Sequence, residues 1–169
     1  MNRDELRAVQ QPLKDQYKSD PEAAVITLRA SGKLGEHVSC SVETGRALLE
    51  AGLHPATGGS GLQACSGDML LQALVACAGV TLNAVATSIG IELRAATLSA
   101  EGDLDFRGTL GVARDVPVGF QRIRLAVALE TDAPEELQRK LLALTERYCV
   151  VYQTLLRSPQ VEVMLMPDA

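Results

Sequence analysis

The sequence predicts a single α+β domain, and three observations carry that prediction. Residues 69–91 hold no charged side chain and read as one long buried helix. Runs of alternating apolar residues, clearest over 119–130, read as strands on either side of it. Leucines at helical spacing from Leu137 to Leu144 give a second helix toward the end. The 169 residues suffice for one domain with a sizeable core. No repeat, low-complexity tract or linker divides them, so 1–169 reads as one unit: a helix over 1–19, then a core over 20–166.

Taken in order, residues 3–18 form an amphipathic helix with Leu6, Val9 and Leu13 on one stripe, ended by Asp20-Pro21. Residues 24–30 (AVITLRA) are rich in β-branched side chains and read as a strand, with a turn at 32–35. Residues 36–42 alternate Val38, Cys40 and Val42 inward as its hairpin partner, which makes Cys40 a core thiol. A short helical or irregular piece covers 43–53. The segment 54–65 (HPATGGSGLQAC) is a mobile Gly-rich loop. It has neither a GKS/T ending nor GxGxxG spacing, so a phosphate loop is excluded.

Ser66 is the expected cap of the long helix over 67–88, with Asp68 in its first turn where a negative charge suits the helix dipole. Gly90 closes that helix, and its near-uniform apolarity predicts enclosure on all sides. Strand 91–101 and a loop or distorted edge strand over 103–118 follow. Strand 119–130 turns Phe120, Ile123, Leu125, Val127 and Leu129 inward. Asp132, with Pro134 and Glu135 after it, caps a helix carrying Leu137, Leu141, Leu142 and Leu144 to Tyr148. A short helix over 150–156 follows Cys149, and 161–166 reads as a closing strand.

Composition removes several function classes. Apolar residues make up 47% and charged residues 22%, an ordinary balance for a folded soluble chain. There is no Trp and aromatics total 3%, which leaves no base-stacking platform. A net charge of −5 without a basic run argues against nucleic acid as a partner. The first 20 residues are polar and lack an apolar signal core, so the expected location is the cytoplasm. Residues 69–91 are long enough to span a bilayer. They carry Gln72, Thr81, Asn83, Thr87 and Ser88 and have no basic anchors, so a buried helix rather than a membrane span is expected. Four cysteines without a CxxC pair and two histidines give no metal-site spacing.

Chemistry then rests on the thiols. Cys77 sits in the middle of the long helix, in ALVACAGVTL, where a small packing residue is the bland explanation. Its own helix dipole fades after the first turn, and burial alone raises a thiol's pKa. A reactive thiolate there needs a cation from elsewhere, with Arg29, Lys33, His37, Arg46 and His54 ahead of the helix as candidates. Cys149 lies at a junction of two helices, where it can face a neighbouring element and resolve a sulfenic acid. Asp68 could hold the activating cation. At roughly 1.5 Å per residue it stands more than about 13 Å from Cys77 along one helix, so the two share a site only across a two-fold dimer. Cys65, just ahead of the cap, is read as semi-exposed and idle.

The segment SGDMLLQALVACAGVTLNAVATSIGI, followed by a strand, resembles the central-helix cysteine segment of the OsmC/Ohr family of thiol-dependent organic hydroperoxide peroxidases. APEELQRKLLALTERYCVVYQTLLRSPQVEV resembles that family's second cysteine helix and closing strand, and the likeness covers residues 20–166. The resemblance implies an OsmC-like α+β fold, with two mostly antiparallel sheets around long central helices in an intertwined homodimer. It implies Cys77 as the peroxidatic cysteine and Cys149 as its resolving partner. It implies Arg29 as the arginine that stabilises the thiolate, with Arg46 as runner-up. At the position of the family's glutamate this chain has Gly67, with Asp68 beside it as the substitute, and the family's proline after the second cysteine is Val150.

The implied activity is reduction of small hydrophobic hydroperoxides without a bound cofactor, restored by an external dithiol, lipoyl or thioredoxin-type reductant. The other reading is an OsmC-like dimer that binds a small apolar ligand or senses redox state, with little peroxidase activity.

Overall fold

The computed structural model describes residues 3–35, 39–42, 52–62 and 64–165, with the backbone alone at 3–7, 9, 27–35 and 39–42. The chain is α+β, as expected. Four strands form one antiparallel sheet in the order β2-β1-β3-β4: β1 Val25–Gly35, β2 Ser39–Val42, β3 Ala95–Asp105 and β4 Arg122–Glu130. Helix α1 (Arg3–Ser19) precedes the sheet, α2 (Ser66–Ile89) crosses it, and α3 (Phe106–Thr109) follows β3. Helices α4 (Glu135–Tyr148) and α5 (Val150–Leu156) close the chain and pack on α2.

The core is the interface of α2 with the sheet. In β3 the residues alternate, so Ala96, Leu98 and Ala100 are buried against Leu71, Leu74, Val75, Ala78 and Leu82 of α2. Small residues on β3 let the bulkier α2 leucines approach the sheet. Full burial of each leucine contributes ~1.5–3 kcal/mol. Leu141 of α4 and Cys149 complete the same cluster. Ile123, Leu125, Val127 and Leu129 of β4 turn inward as expected and are half-buried beside it. Gly90 ends α2 at φ 72, the left-handed conformation a glycine adopts without penalty. A smaller cluster seats α1: Tyr17, Ala24, Phe106 and Leu110, with Leu13 packed against them. Of the predicted stripe, Leu6 and Val9 lie outside the described side chains.

The structure corrects several boundaries. Residues 32–35 are not a turn but the end of β1, where each pairs with β2 and two also pair with β3. β3 begins at Ala95 rather than 91 and runs to Asp105, because β1 offers partners down to Val25. The cap of α2 is Cys65, not Ser66. Pro134 rather than Asp132 precedes α4. Asp132 instead holds Arg94 at 2.5 Å, while the Thr131 hydroxyl accepts from the Ala133 N–H at 3.1 Å.

Residues 161–165 form no strand. No partner strand for them stands among the described residues, and Val161, Val163, Met164 and Leu165 are exposed. The second sheet is not among the described residues, and residues 43–51 and the Cys40 side chain lie outside them. Helix α2 is the one described helix long and apolar enough to cross a membrane. It is not enclosed on all sides either. One stripe stays open, with Leu70 39% and Val80 40% exposed beside Ala73 and Ala84.

Candidate active site

Cys77 and Cys149 meet, although 72 positions separate their numbers. Cys77 is half-buried in the middle of α2, and Cys149 is fully buried at the break between α4 and α5. The break has a local cause. The Cys149 N–H completes α4 by donating to Thr145 O at 2.9 Å, yet its backbone is extended, at φ −71 and ψ 109. A new helix therefore starts at Val150, and the Cys149 sulfur accepts the Tyr152 N–H at 3.5 Å as its cap. The first N–H groups of α5 have no partner within their own helix, as at every helix start. Those of Val150 and Val151 are directed at Cys77.

These donors decide the electrostatics. Burial pushes the Cys77 thiol up. Hydrogen bonds from the Val151 N–H, the Cys149 thiol, the Val150 N–H and the Thr81 hydroxyl outweigh burial and hold it below the ordinary thiol range. Thr81 lies one turn further along α2, so its hydroxyl reaches the sulfur from the same helix face. For Cys149, burial raises the pKa; the Tyr152 N–H opposes and the neighbouring Cys77 adds, leaving it at about 11. The two shifts run in opposite directions, Cys77 down and Cys149 up. Among the described residues, the groups that lower Cys77 are hydrogen-bond donors rather than cations. Sequence reasoning missed this source of activation: the dipole of Cys77's own helix is too far away, but a second helix begins at the sulfur.

The other candidate residues lie elsewhere. Asp68 is nine positions back along α2, roughly 13 Å at the helical rise. Its electrostatic partner is His54: burial raises the Asp68 carboxyl and lowers His54, and each opposes the other's shift. His54 stacks on Phe106 with ring centroids 5.1 Å apart, and its Nδ1 accepts the Ala56 N–H at 3.0 Å. The Tyr17 hydroxyl donates to Ala56 O at 2.6 Å, so the start of the Gly-rich loop is pinned to α1. At Arg29 the backbone register sets position 29 opposite Glu101, which in turn pairs with Arg124. That rung alternates with the buried one of Ala100, on the sheet face away from α2. The side chains of Arg29, Lys33, His37 and Arg46 lie outside the described ones. Cys65 is half-buried against the core, with its carbonyl accepting the Met69 N–H at 3.1 Å.

A pair of unlike thiols held between a central helix and the start of a second one, over an antiparallel sheet, defines a two-cysteine thiol site. A family model described as OsmC-like protein matches residues 59–164, which include both cysteines, and the chain belongs to that family. Among solved structures, an OsmC-like hydroperoxide resistance protein from Jannaschia sp. CCS1 superposes with a TM-score of 0.63 at 15% identity, covering 85% of this chain and 95% of that one. An OsmC-like protein from Mycoplasma pneumoniae superposes with a TM-score of 0.56 at 16% identity, covering 79% and 86%. At these identities the likeness establishes the fold. The curated proteins contain no match to the sequence.

Proposed function

We propose that this OsmC-family protein is a homodimeric, cytoplasmic thiol peroxidase of hydrophobic hydroperoxides. The observation that carries the reading is the hydrogen-bonded pair of unlike thiols, Cys77 lowered and Cys149 raised. The Cys77 thiolate attacks the terminal oxygen of the hydroperoxide, the O–O bond breaks, and Cys77 becomes a sulfenic acid. The departing alkoxide takes the proton of Cys149 and leaves as the alcohol. The Cys149 thiolate then attacks the Cys77 sulfur and expels hydroxide, which a solvent proton converts to water. The product is a Cys77–Cys149 disulfide, which an external thiol reductant reopens. The name of the Jannaschia relative, a hydroperoxide resistance protein, supports the same chemistry.

Two observations favour a dimer. Cys77 lies at the centre of the open stripe of α2: Leu70, Ala73, Val80 and Ala84 fall within about 60° of it at 3.6 residues per turn. An apolar helix stripe of this kind is stable when covered, and a second copy's α2 is its natural cover. The unpaired segment 161–165 likewise presents apolar residues that a second copy can receive and that can extend a sheet. The roles the family resemblance implies for Asp68 and Arg29 are proposed for the Cys77 site of such a dimer. The test is consumption of cumene hydroperoxide and hydrogen peroxide by the reduced protein. The parent consumes cumene hydroperoxide faster than hydrogen peroxide, and Cys77→Ser falls to the level of the protein-free blank. A Cys77→Ser variant as fast as the parent sinks the proposal.

A further inference from the structure

Away from the thiol pair, a second cluster forms where the start of the Gly-rich loop meets α1 and α3, with His54 at its centre. The His54 ring stacks on Phe106, with centroids 5.1 Å apart and planes 19° apart. Its Nδ1 accepts the Ala56 N–H at 3.0 Å, and its carbonyl accepts the Thr57 and Gly59 N–H groups and the Thr57 hydroxyl. A ring nitrogen that accepts carries no proton, so the neutral imidazole holds its hydrogen on Nε2. Ala56 is a shared node: its N–H goes to His54, and its carbonyl accepts the Tyr17 hydroxyl of α1 at 2.6 Å. Phe106 is shared as well, between the His54 ring and the cluster of Tyr17, Ala24 and Leu110 that seats α1. The family match begins at residue 59, so His54 and α1 lie ahead of it.

We propose that His54 is an acid-released latch: the neutral ring pins α1 and the start of the Gly-rich loop to the body, and proton uptake at Nδ1 frees them. The latch does not depend on the chemistry proposed for the thiols. A proton on Nδ1 sets a second N–H against the Ala56 N–H, so a half-buried hydrogen bond becomes a contact of two donors. The charged groups around the ring are few among the described residues. Asp68 of α2 favours the imidazolium. Arg107 of α3 is held in a fork by the Asp105 carboxylate, and the Tyr17 hydroxyl of α1 is engaged by Ala56. The Phe106 face also favours a cation, but burial outweighs Asp68 and holds His54 below the ordinary histidine value. A histidine lowered when docked and ordinary when released makes docking weaken as pH falls below about 6.5, until the docked-state pKa is passed. One proton taken up per release means about a tenfold loss for each pH unit inside that window. Asp68, raised by burial, pulls the other way as pH approaches its own range. Once released, α1 has little to hold it, since a lone helix of 17 residues interrupted by Pro12 is marginal in water.

The experiment is amide hydrogen exchange of the full chain, read by mass spectrometry from about pH 7.5 to about pH 5, with labelling times scaled to the intrinsic exchange rate. Peptides covering 10–19 and 54–59 are expected to lose about tenfold in protection per pH unit below about 6.5, while those of β3 and α4 keep theirs. His54→Asn keeps a side-chain acceptor for the Ala56 N–H, as in an Asx turn, and removes the titration. Its protection in the same two peptides is expected to stay flat with pH. A flat profile in the parent, or an equal slope in parent and variant, overturns the proposal. Should His54→Asn leave α1 undocked at every pH, the parent alone decides, by NMR of its ring nitrogens, with His37→Gln assigning the two histidines. The hydrogen is expected on Nε2 at neutral pH, with a midpoint below the ordinary histidine value and the Ala56 amide shift following the same midpoint. A hydrogen on Nδ1 at neutral pH, or an Ala56 amide indifferent to the titration, overturns the latch.

Discussion

At the scale of single residues, the proposed function rests on two sulfurs whose surroundings shift them in opposite directions. The donors around Cys77 favour its charged form, so its thiolate persists below the pH at which an ordinary thiol loses it. The rate of Cys77 alkylation by iodoacetamide, followed against pH, is expected to reach half its maximum below the ordinary thiol range. Cys149, raised to about 11, reacts only at far higher pH. Cys149→Ala removes one donor and shifts the Cys77 profile upward, whereas Cys149→Ser keeps a donor and shifts it less. A profile that Cys149→Ala leaves in place contradicts the hydrogen-bonded pair. Both sulfurs were legible in the sequence, Cys77 from its place in an uncharged helix and Cys149 from its helix junction and the family pattern. The donors were not, because a backbone N–H has no sequence signature. It becomes chemically special only where one helix start meets another helix's flank.

At the scale of elements, β3 shows how side-chain size sets the packing. Gly102 is buried beneath Phe120, and a Cβ there would lie 2.4 Å from the phenyl ring. Gly102→Ala is expected to cost ~1–3 kcal/mol by overpacking, read as a lowered midpoint in urea unfolding. Combining it with Phe120→Ala relieves the clash, so the two changes cost less together than the sum of each alone. The long elements were legible because their periodicity is sustained: α2, α4 and β4 all fall close to where their apolar patterns put them. The turn expected at 32–35 was not, since glycine there serves a strand paired on both sides, which local pattern cannot distinguish from a bend. The expected strand over 161–166 shows the opposite failure. Its pattern is right for a strand, but pattern supplies no partner.

At the scale of the whole molecule, apolar surface stays open among the described residues. The open stripe of α2 and the exposed apolar residues of 161–165 are surfaces that a lone soluble chain leaves in water at a cost of roughly 25 cal/mol per Å². Sedimentation velocity is expected to show a dimer, and Val80→Lys, which sets a charge in the middle of the stripe, to shift it toward monomer. A parent that sediments as a monomer at micromolar concentration contradicts the dimer. The overall class was legible from composition and periodicity, because both report burial. The assembly was not, because the same apolar residue satisfies a core or an interface. Arg29 and Asp68 belong to this scale. Asp68 stands nine positions from Cys77 along α2, and the Arg29 side chain lies outside the described ones.

The most direct test of the account adds one equivalent of cumene hydroperoxide to the fully reduced protein, blocks remaining thiols with N-ethylmaleimide, and maps the peptides by mass spectrometry. The expected product is a linked pair of peptides carrying Cys77 and Cys149, with Cys65 blocked and free of any crosslink. A Cys77 recovered as the unoxidised maleimide adduct, or a disulfide that joins Cys77 to Cys65 instead, contradicts it.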